Sequence, residues 1–261
     1  MKKIKHIILI GSGKGGVGKS TVAVNLSISL AKQSNKVGLL DADIYGPSIP
    51  KMMGIKEKPR LNNNKKLEPF FKYGIKFMSI GSMIPSEKPI IWRAPMVVNA
   101  LNQLLRDISW EHLDFLIIDL PPGTGDIQLT LSQNLQISGA IIVSTPQEVA
   151  LEDVRRAINM FKQVKIEIIG MVQNMSYFED SKKNKIYLLG ENNVVEEAKK
   201  QNLNFLGEIP IVRDISFSSD QGKPISTNEK SEVAIKFQEI VNNMKKILAK
   251  QPNQETNIEI N

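Results

Sequence analysis

The octapeptide Gly13-Lys14-Gly15-Gly16-Val17-Gly18-Lys19-Ser20 constrains this chain more than any other stretch, because it fits the spacing G-x-x-x-x-G-K-[ST] at every position. Glycines let a backbone curl until successive N–H groups point inward and form a nest for phosphate oxygens. A helix that starts where the loop ends directs its positive pole at the same anion. Lys19 adds a mobile charge for the β- and γ-phosphates, and the Ser20 hydroxyl can ligate Mg2+. Gly13, Lys14, Gly15, Gly16, Val17, Gly18, Lys19, Ser20 and Thr21 are therefore the candidate nucleotide-binding residues. The overlapping Gly11-Ser12-Gly13-Lys14-Gly15-Gly16 also satisfies G-x-G-x-x-G, with Asp41 at the end of the next strand as a ribose-binding acid. That second reading leaves the Lys19-Ser20 pair and a further acidic strand end unexplained.

A loop of this kind needs a strand before it and a helix after it. Ile7-Ile8-Leu9-Ile10 supplies the strand, and a helical pattern runs from Ser20 to about Gln33. Further short apolar runs end at Asp41, Asp119 and Ser144, another spans Ile166 to Val172, and amphipathic stretches lie between them. Continuous apolar strands alternating with helices predict an α/β fold, a mostly parallel sheet with helices on both faces. Ligands in such sheets sit beyond the carboxyl ends of the strands, where the glycine loop, Asp41 and Asp119 all fall. Four apolar residues lead into Asp119, which is placed to hold Mg2+ directly or through water. The following Pro121-Pro122-Gly123-Thr124-Gly125-Asp126 is stiff and then flexible, as suits a loop that senses the γ-phosphate. Residues 54–74 read as an excursion or hairpin outside the sheet, and 176–190 as a polar loop. Residues 1–250 are expected to form a single ATPase domain, with 251–261 a disordered tail.

Composition excludes several chemistries. With no cysteine and two histidines among 261 residues, there is no disulfide framework, thiol nucleophile or thiolate-held metal within this chain. Absence of cysteine fits a reducing cytoplasm, the expected location. The apolar stretch after Met1-Lys2-Lys3 is too short for a secretory signal, and no run is long enough to cross a bilayer. The net charge of +7 comes from scattered lysines without interleaved aromatics, so no nucleic-acid partner is expected. Val233, Phe237, Ile240, Val241, Met244 and Leu248 form an apolar stripe flanked by lysines. A basic amphipathic helix of that kind can lie on an anionic membrane, although a last helix packed on the sheet is the commoner use.

Lys14, a second lysine just after the first glycine of the loop, resembles the signature lysine of the deviant Walker A group that includes MinD, ParA and the arsenite-pump ATPases. The resemblance implies a nucleotide-sandwich homodimer in which Lys14 reaches the partner's nucleotide and supports the transition state, as an arginine finger does. Within that group the chain is similar to the Mrp family. The residues that carry this are Leu39 through Ser48, Trp92-Arg93-Ala94-Pro95-Met96, Trp110 through Asp126, Ser144-Thr145-Pro146-Gln147 and Gln173-Asn174-Met175-Ser176. Membership implies a Mg2+-dependent ATPase that binds iron–sulfur clusters and passes them to apoprotein clients or assembly proteins. It implies catalytic roles for Lys14, Lys19 and Asp43, with Asp43 organising the attacking water. Ser20, Asp41 and Asp119 would be the Mg2+ set, and Asn174 would recognise adenine. An ATP-driven dimer switch acting at membrane or DNA, as in MinD and ParA, is the alternative. The chain departs from the family in three places. The window that carries Cys-x-x-Cys in many members reads Tyr177-Phe178-Glu179-Asp180-Ser181-Lys182, and carboxylates replace thiolate poorly on iron–sulfur iron. A small N-terminal domain before Ile4 is expected to be missing, and Gln173 stands where Glu is usual.

Overall fold

The computed structural model describes residues 3–83, 94–123, 126–250 and 256–257. The chain begins with β1 (Lys3–Gly11), the phosphate loop, α1 (Lys19–Lys32) and β2 (Val37–Asp41). A short α2 (Ile49–Met52) leads to β3 (Phe70–Lys72) and β4 (Ile75–Ser79), followed by α3 (Ala94–Asp107), β5 (Leu113–Asp119) and α4 (Asp126–Asn134). Then come β6 (Gly139–Ser144), α5 (Glu148–Gln163), β7 (Ile168–Gln173), β8 (Phe178–Glu179), β9 (Lys185–Ile186) and α6 (Asn193–Lys200). β10 (Phe205–Glu208), α7 (Arg213–Asp220), α8 (Glu232–Leu248) and β11 (Thr256–Asn257) complete the order.

The main sheet runs β10-β7-β6-β1-β5-β2-β4-β3, parallel except where β3 meets β4, with β11 added antiparallel to the start of β1. Alternate residues of each central strand go to opposite faces. Ile7 and Leu9 join one buried cluster with Leu104 of α3, Leu131 of α4, Val154 and Phe161 of α5 and Val194 of α6. Ile8 and Ile10 join the other, with Val22 and Leu26 of α1 and Phe237 and Ile240 of α8. Strands buried on both faces need unbroken apolar runs, which is why β1, β5 and β6 read so plainly in the sequence.

The parallel register brings the strand ends level. Asp41 sits opposite Asp119 on one side and Ser79 on the other, and Asp119 sits opposite Ile10, one residue before the glycine turn. The backbone continues this alignment: Leu120 N–H donates to Ile10 O at 3.1 Å, and Ala42 N–H donates to Asp119 O at 2.9 Å.

Several expectations are corrected. The 54–74 segment does not stay outside the sheet: its last residues form the edge strand β3, paired with β4, and Phe70 packs against Phe77 with ring centroids 5.5 Å apart. β4 and β10 are additional parallel strands. The 176–190 segment contains a small hairpin, β8 with β9, secured where the Lys185 ammonium sits 3.9 Å from the Tyr177 ring centroid. Two residues of the segment expected to be disordered, Thr256 and Asn257, pair with Ile4 and Lys3. The rest of that segment, the Trp92-Arg93 pair and Thr124-Gly125 lie outside the described residues.

The α8 stripe faces inward: Val233, Phe237, Ile240, Val241, Met244 and Leu248 are all buried. Nothing of it remains for a membrane surface, and no helix among the described residues is long and apolar enough to cross a membrane. Phe237→Ala should accordingly cost about 3–5 kcal/mol of unfolding free energy, seen as a lower urea midpoint at an unchanged m-value. An effect below about 1 kcal/mol would show that α8 does not carry this face of the core.

Candidate functional site

The phosphate loop is shaped by what surrounds it. A Cβ on Gly13 would lie 2.3 Å from the Asp153 carbonyl carbon and 2.4 Å from Val154 N, so only glycine lets the loop lie against the backbone of α5. Gly18 precedes α1 with φ +80°, and a Cβ there would sit 2.2 Å from Asn174 Nδ2. That amide donates to Val17 O at 2.8 Å, tying the loop to the end of β7. Val17 itself points into the core, so its contribution to the loop's inner face is backbone alone. Gly123 N–H donates to Ser12 O at 3.1 Å, and Ser12 Oγ donates to Lys14 O at 3.0 Å. Among the described residues, the backbone N–H groups of Lys14, Gly15, Gly16 and Gly18 donate no hydrogen bond within the protein. A curl of unspent donors at a helix start is a nest for an anion.

Beneath the loop lies a buried charge cluster. Lys19 Nζ donates to Asp119 Oδ1 at 2.7 Å and sits 3.7 Å from Asp43 Oδ2. Asp119 is fully buried, and its Oδ2 has no hydrogen-bond partner of good geometry. Burial pushes its carboxyl above the usual carboxylate range, opposed by Lys19 and, more weakly, by the Ser20 hydroxyl. Asp41, equally buried, accepts from Ser79 Oγ at 2.9 Å, from Asp43 N–H at 3.1 Å and from Ile49 N–H at 3.3 Å. Burial first, then the neighbouring Asp119, push its carboxyl up to about 7, against those three hydrogen bonds.

A cleft of about 540 Å3 opens over this cluster. Lys14, Gly15, Gly16, Gly18, Lys19, Ser20, Thr21, Asp43 and Asn174 all reach it, from three segments of the chain. Asp41 and Asp119 lie below the surface, behind Lys19. Lys14 is at the rim, where its ammonium meets Gln147 Oε1 at 3.5 Å, at the start of α5. A further wall comes from Pro210, Ile211 and Val212 and from Ile215, Ser216, Ser219 and Asp220 of α7. Sequence reasoning missed this wall, and missed Ser79 because β4 was not read as a strand. A polar residue ending an apolar run, as Ser79 does, was the available signal.

The donor set at the foot of the loop suits Mg2+. An orphaned, buried carboxylate oxygen on Asp119, a hydroxyl beside it on Ser20 and a second carboxyl on Asp41 are hard oxygen donors at the foot of an anion nest, which fits that ion.

The family described as ParA, NUBPL iron-transfer P-loop NTPase, matches residues 3–245. The iron-sulfur cluster carrier protein of Aquifex aeolicus is 48% identical over 254 residues, covering 96% of this chain and 70% of its own length. A nucleotide-binding protein from Archaeoglobus fulgidus, solved in complex with ADP, superposes with a TM-score of 0.76 at 41% identity, covering 90% of this chain and 92% of that one. The cell division ATPase MinD of Pyrococcus furiosus shares the fold, with a TM-score of 0.69 at 21% identity, over 93% and 99% of the two chains.

The raised carboxyls fix a pH dependence. Between the ordinary Asp value near 3.8 and about 7, folded Asp41 keeps a proton that the unfolded chain has released. The folded state binds more protons there, so stability falls as pH rises across that window, and Asp119 shifts the same way. In Mg2+-free buffer, urea unfolding at pH 5 and at pH 8 should show this loss, and Asp41→Asn should reduce it. An identical slope in the variant would mean that Asp41 ionises freely in the fold.

Proposed function

The chain belongs to the NUBPL-type iron-transfer P-loop NTPases, and on that premise we propose that it is a Mg2+-dependent ATPase whose cycle governs the carriage of iron–sulfur clusters to client apoproteins in the cytoplasm. The observation that carries the nucleotide chemistry is Lys19, held 2.7 Å from Asp119 and 3.7 Å from Asp43 under a loop of unspent N–H donors. In this reading the β- and γ-phosphates enter the nest and draw the Lys19 ammonium onto themselves. Asp119 loses its counter-charge and becomes a stronger oxygen ligand. Ser20, Asp119 and Asp41 would hold Mg2+, which supplies charge neutralisation between the phosphates when bound. Asp43, whose backbone N–H anchors on Asp41 and whose Oδ1 accepts from Gly46 N–H at 3.2 Å, orients the attacking water. Asn174 lines the cleft beside the loop, and in this reading its amide faces adenine.

Lys14 belongs to a different step. Its present partner, the Gln147 amide, is neutral and at long range, so the lysine leaves it at little cost. In a homodimer closed over two nucleotides it would reach the partner's phosphates. Lys19→Ala should therefore abolish ATP binding by calorimetry and lower turnover roughly a hundredfold or more. Lys14→Ala should keep binding but lose most turnover and the ATP-dependent dimer seen by light scattering. A monomeric protein with full activity would overturn the trans role, and turnover retained by Lys19→Ala would overturn the site.

The cluster, as cargo, needs thiolate ligands, and this chain contains no cysteine to supply them. The described residues hold no group of three or more His, Asp or Glu able to bind a metal ion. At the family's cysteine window stands the β8–β9 hairpin, with Tyr177 buried under Lys185 and Phe178 exposed. The ligands are accordingly assigned to a thiol outside this chain, on the client or a small molecule. Anaerobic loading with iron and sulfide should give visible cluster absorption only when a thiol-bearing client or glutathione is present. Stable cluster on the chain alone would overturn the external-ligand assignment. No cluster in any arm, with ATPase intact, would overturn the carrier reading.

A further inference from the structure

The lysines look scattered along the sequence, yet their excess over acidic residues is not. Between Lys51 and Lys76 eight Lys or Arg stand against two Glu, which places +6 of the chain's +7 in the stretch that joins α2 to β4. Three of the eight are occupied. Lys51 pairs with Asp220 at 3.1 Å, Lys76 pairs with Glu111 at 2.6 Å, and Lys72 Nζ donates to Met53 O at 2.8 Å. Lys56, Lys58, Arg60, Lys65 and Lys66 are exposed and form no ion pair among the described residues. Two large apolar side chains share this arm, Phe71 at 72% exposure and Leu61 at 64%. Protection of the sheet edge does not account for the charge. Lysines guard an edge from the edge strand itself, and the lysine of β3, Lys72, is turned onto the backbone of Met53.

The arm is held in place. Asn62 Oδ1 accepts from Asn64 N–H at 3.0 Å and from Lys66 N–H at 2.9 Å, which fixes the turn that carries Lys65 and Lys66. Leu67 N–H donates to Asp107 O at 2.7 Å, and Ser109 N–H donates to Leu67 O at 2.9 Å. Phe71 sits opposite Lys76, whose ammonium holds Glu111. The turn and the edge strand are thus both anchored to the 107–111 stretch after α3.

A partner for this arm must offer negative charge over an area and an apolar interior beneath it. A nucleic acid could stack a base on Phe71 but has nothing for Leu61. Carboxylates fixed on a protein are best met by the fork of Arg, and four of the five free cations are Lys. Lysines are point charges on apolar stems, suited to headgroups that move, while Leu61 and Phe71 can enter the acyl boundary below them. We propose that the arm from Lys56 to Phe71 docks the protein on an anionic lipid surface. No residue of the arm lines the nucleotide cleft, so the proposal stands apart from the nucleotide reading.

The test is vesicle sedimentation of the full chain, comparing phosphatidylcholine alone with equal parts phosphatidylcholine and phosphatidylglycerol. Wild type should sediment with the anionic vesicles only, and added salt should release it. Lys65→Glu with Lys66→Glu should weaken binding roughly tenfold or more, and so should Lys56→Glu with Lys58→Glu. Leu61→Ser with Phe71→Ser should weaken it roughly threefold or more, and Lys65→Arg with Lys66→Arg should retain it, all at an unchanged melting temperature. A wild-type chain that ignores the anionic vesicles overturns the proposal, as does undiminished binding after either charge reversal. Binding to duplex DNA or to polyglutamate that is tighter than to the vesicles at the same salt, and is lost in the charge reversals, gives the arm to a nucleic acid or an acidic protein and overturns the lipid assignment.

Discussion

Lys19 and its carboxylates are the interaction on which the arrangement of this molecule turns. One ammonium is shared between Asp119 at 2.7 Å and Asp43 at 3.7 Å, with Asp41 just behind and half-titrated near neutrality. Bringing charges of this kind out of water costs several kcal/mol each, and a single cation cannot repay three carboxyls. The ligand-free cluster is thus under-neutralised and hungry for positive charge, while the loop above it is hungry for negative charge. A magnesium nucleotide carries both, so one ligand relieves two opposite deficits in neighbouring layers.

Those deficits persist only because the scaffold does not yield. Asp119, Asp41 and the glycine turn end three adjacent parallel strands in register, each strand buried at its carboxyl end between two helical layers. The loop cannot sag toward α5, because Gly13 already touches the Asp153–Val154 backbone, nor toward β7, because Gly18 touches Asn174. Preorganised dipoles that do not relax toward one another remain available to a ligand.

Much of this was legible in the chain. The loop, both acidic strand ends and the helix after the loop follow from spacing and apolar runs, since buried parallel strands leave little freedom of composition. What escaped the sequence was made by contacts distant in the chain. β3 and β4 are short, three and five residues, and each contains a lysine, so neither forms a continuous apolar run and Ser79 went unnoticed beside Asp41. The α7 wall is amphipathic and short, and nothing local marks which of its sides lines a cleft. Lys14 was conspicuous, yet its resting partner Gln147 lies 133 residues away and left no local trace. The absence of cysteine was plain from composition, and the hairpin with its Tyr177–Lys185 contact shows what fills that place instead.

The level ends of β1, β2 and β5 also govern how this sequence can change length. Side chains alternate across a strand with a period of two, so one residue gained or lost before Asp119 within β5 would turn that carboxyl to the opposite layer. The same parity ties Asp41 to Val37. No such parity rule applies to the stretch between α2 and β3, where Asn62 and Lys66 close a surface turn. Insertions and deletions are therefore free to collect there, whereas the three strands that end at the cleft can be rewritten only letter for letter.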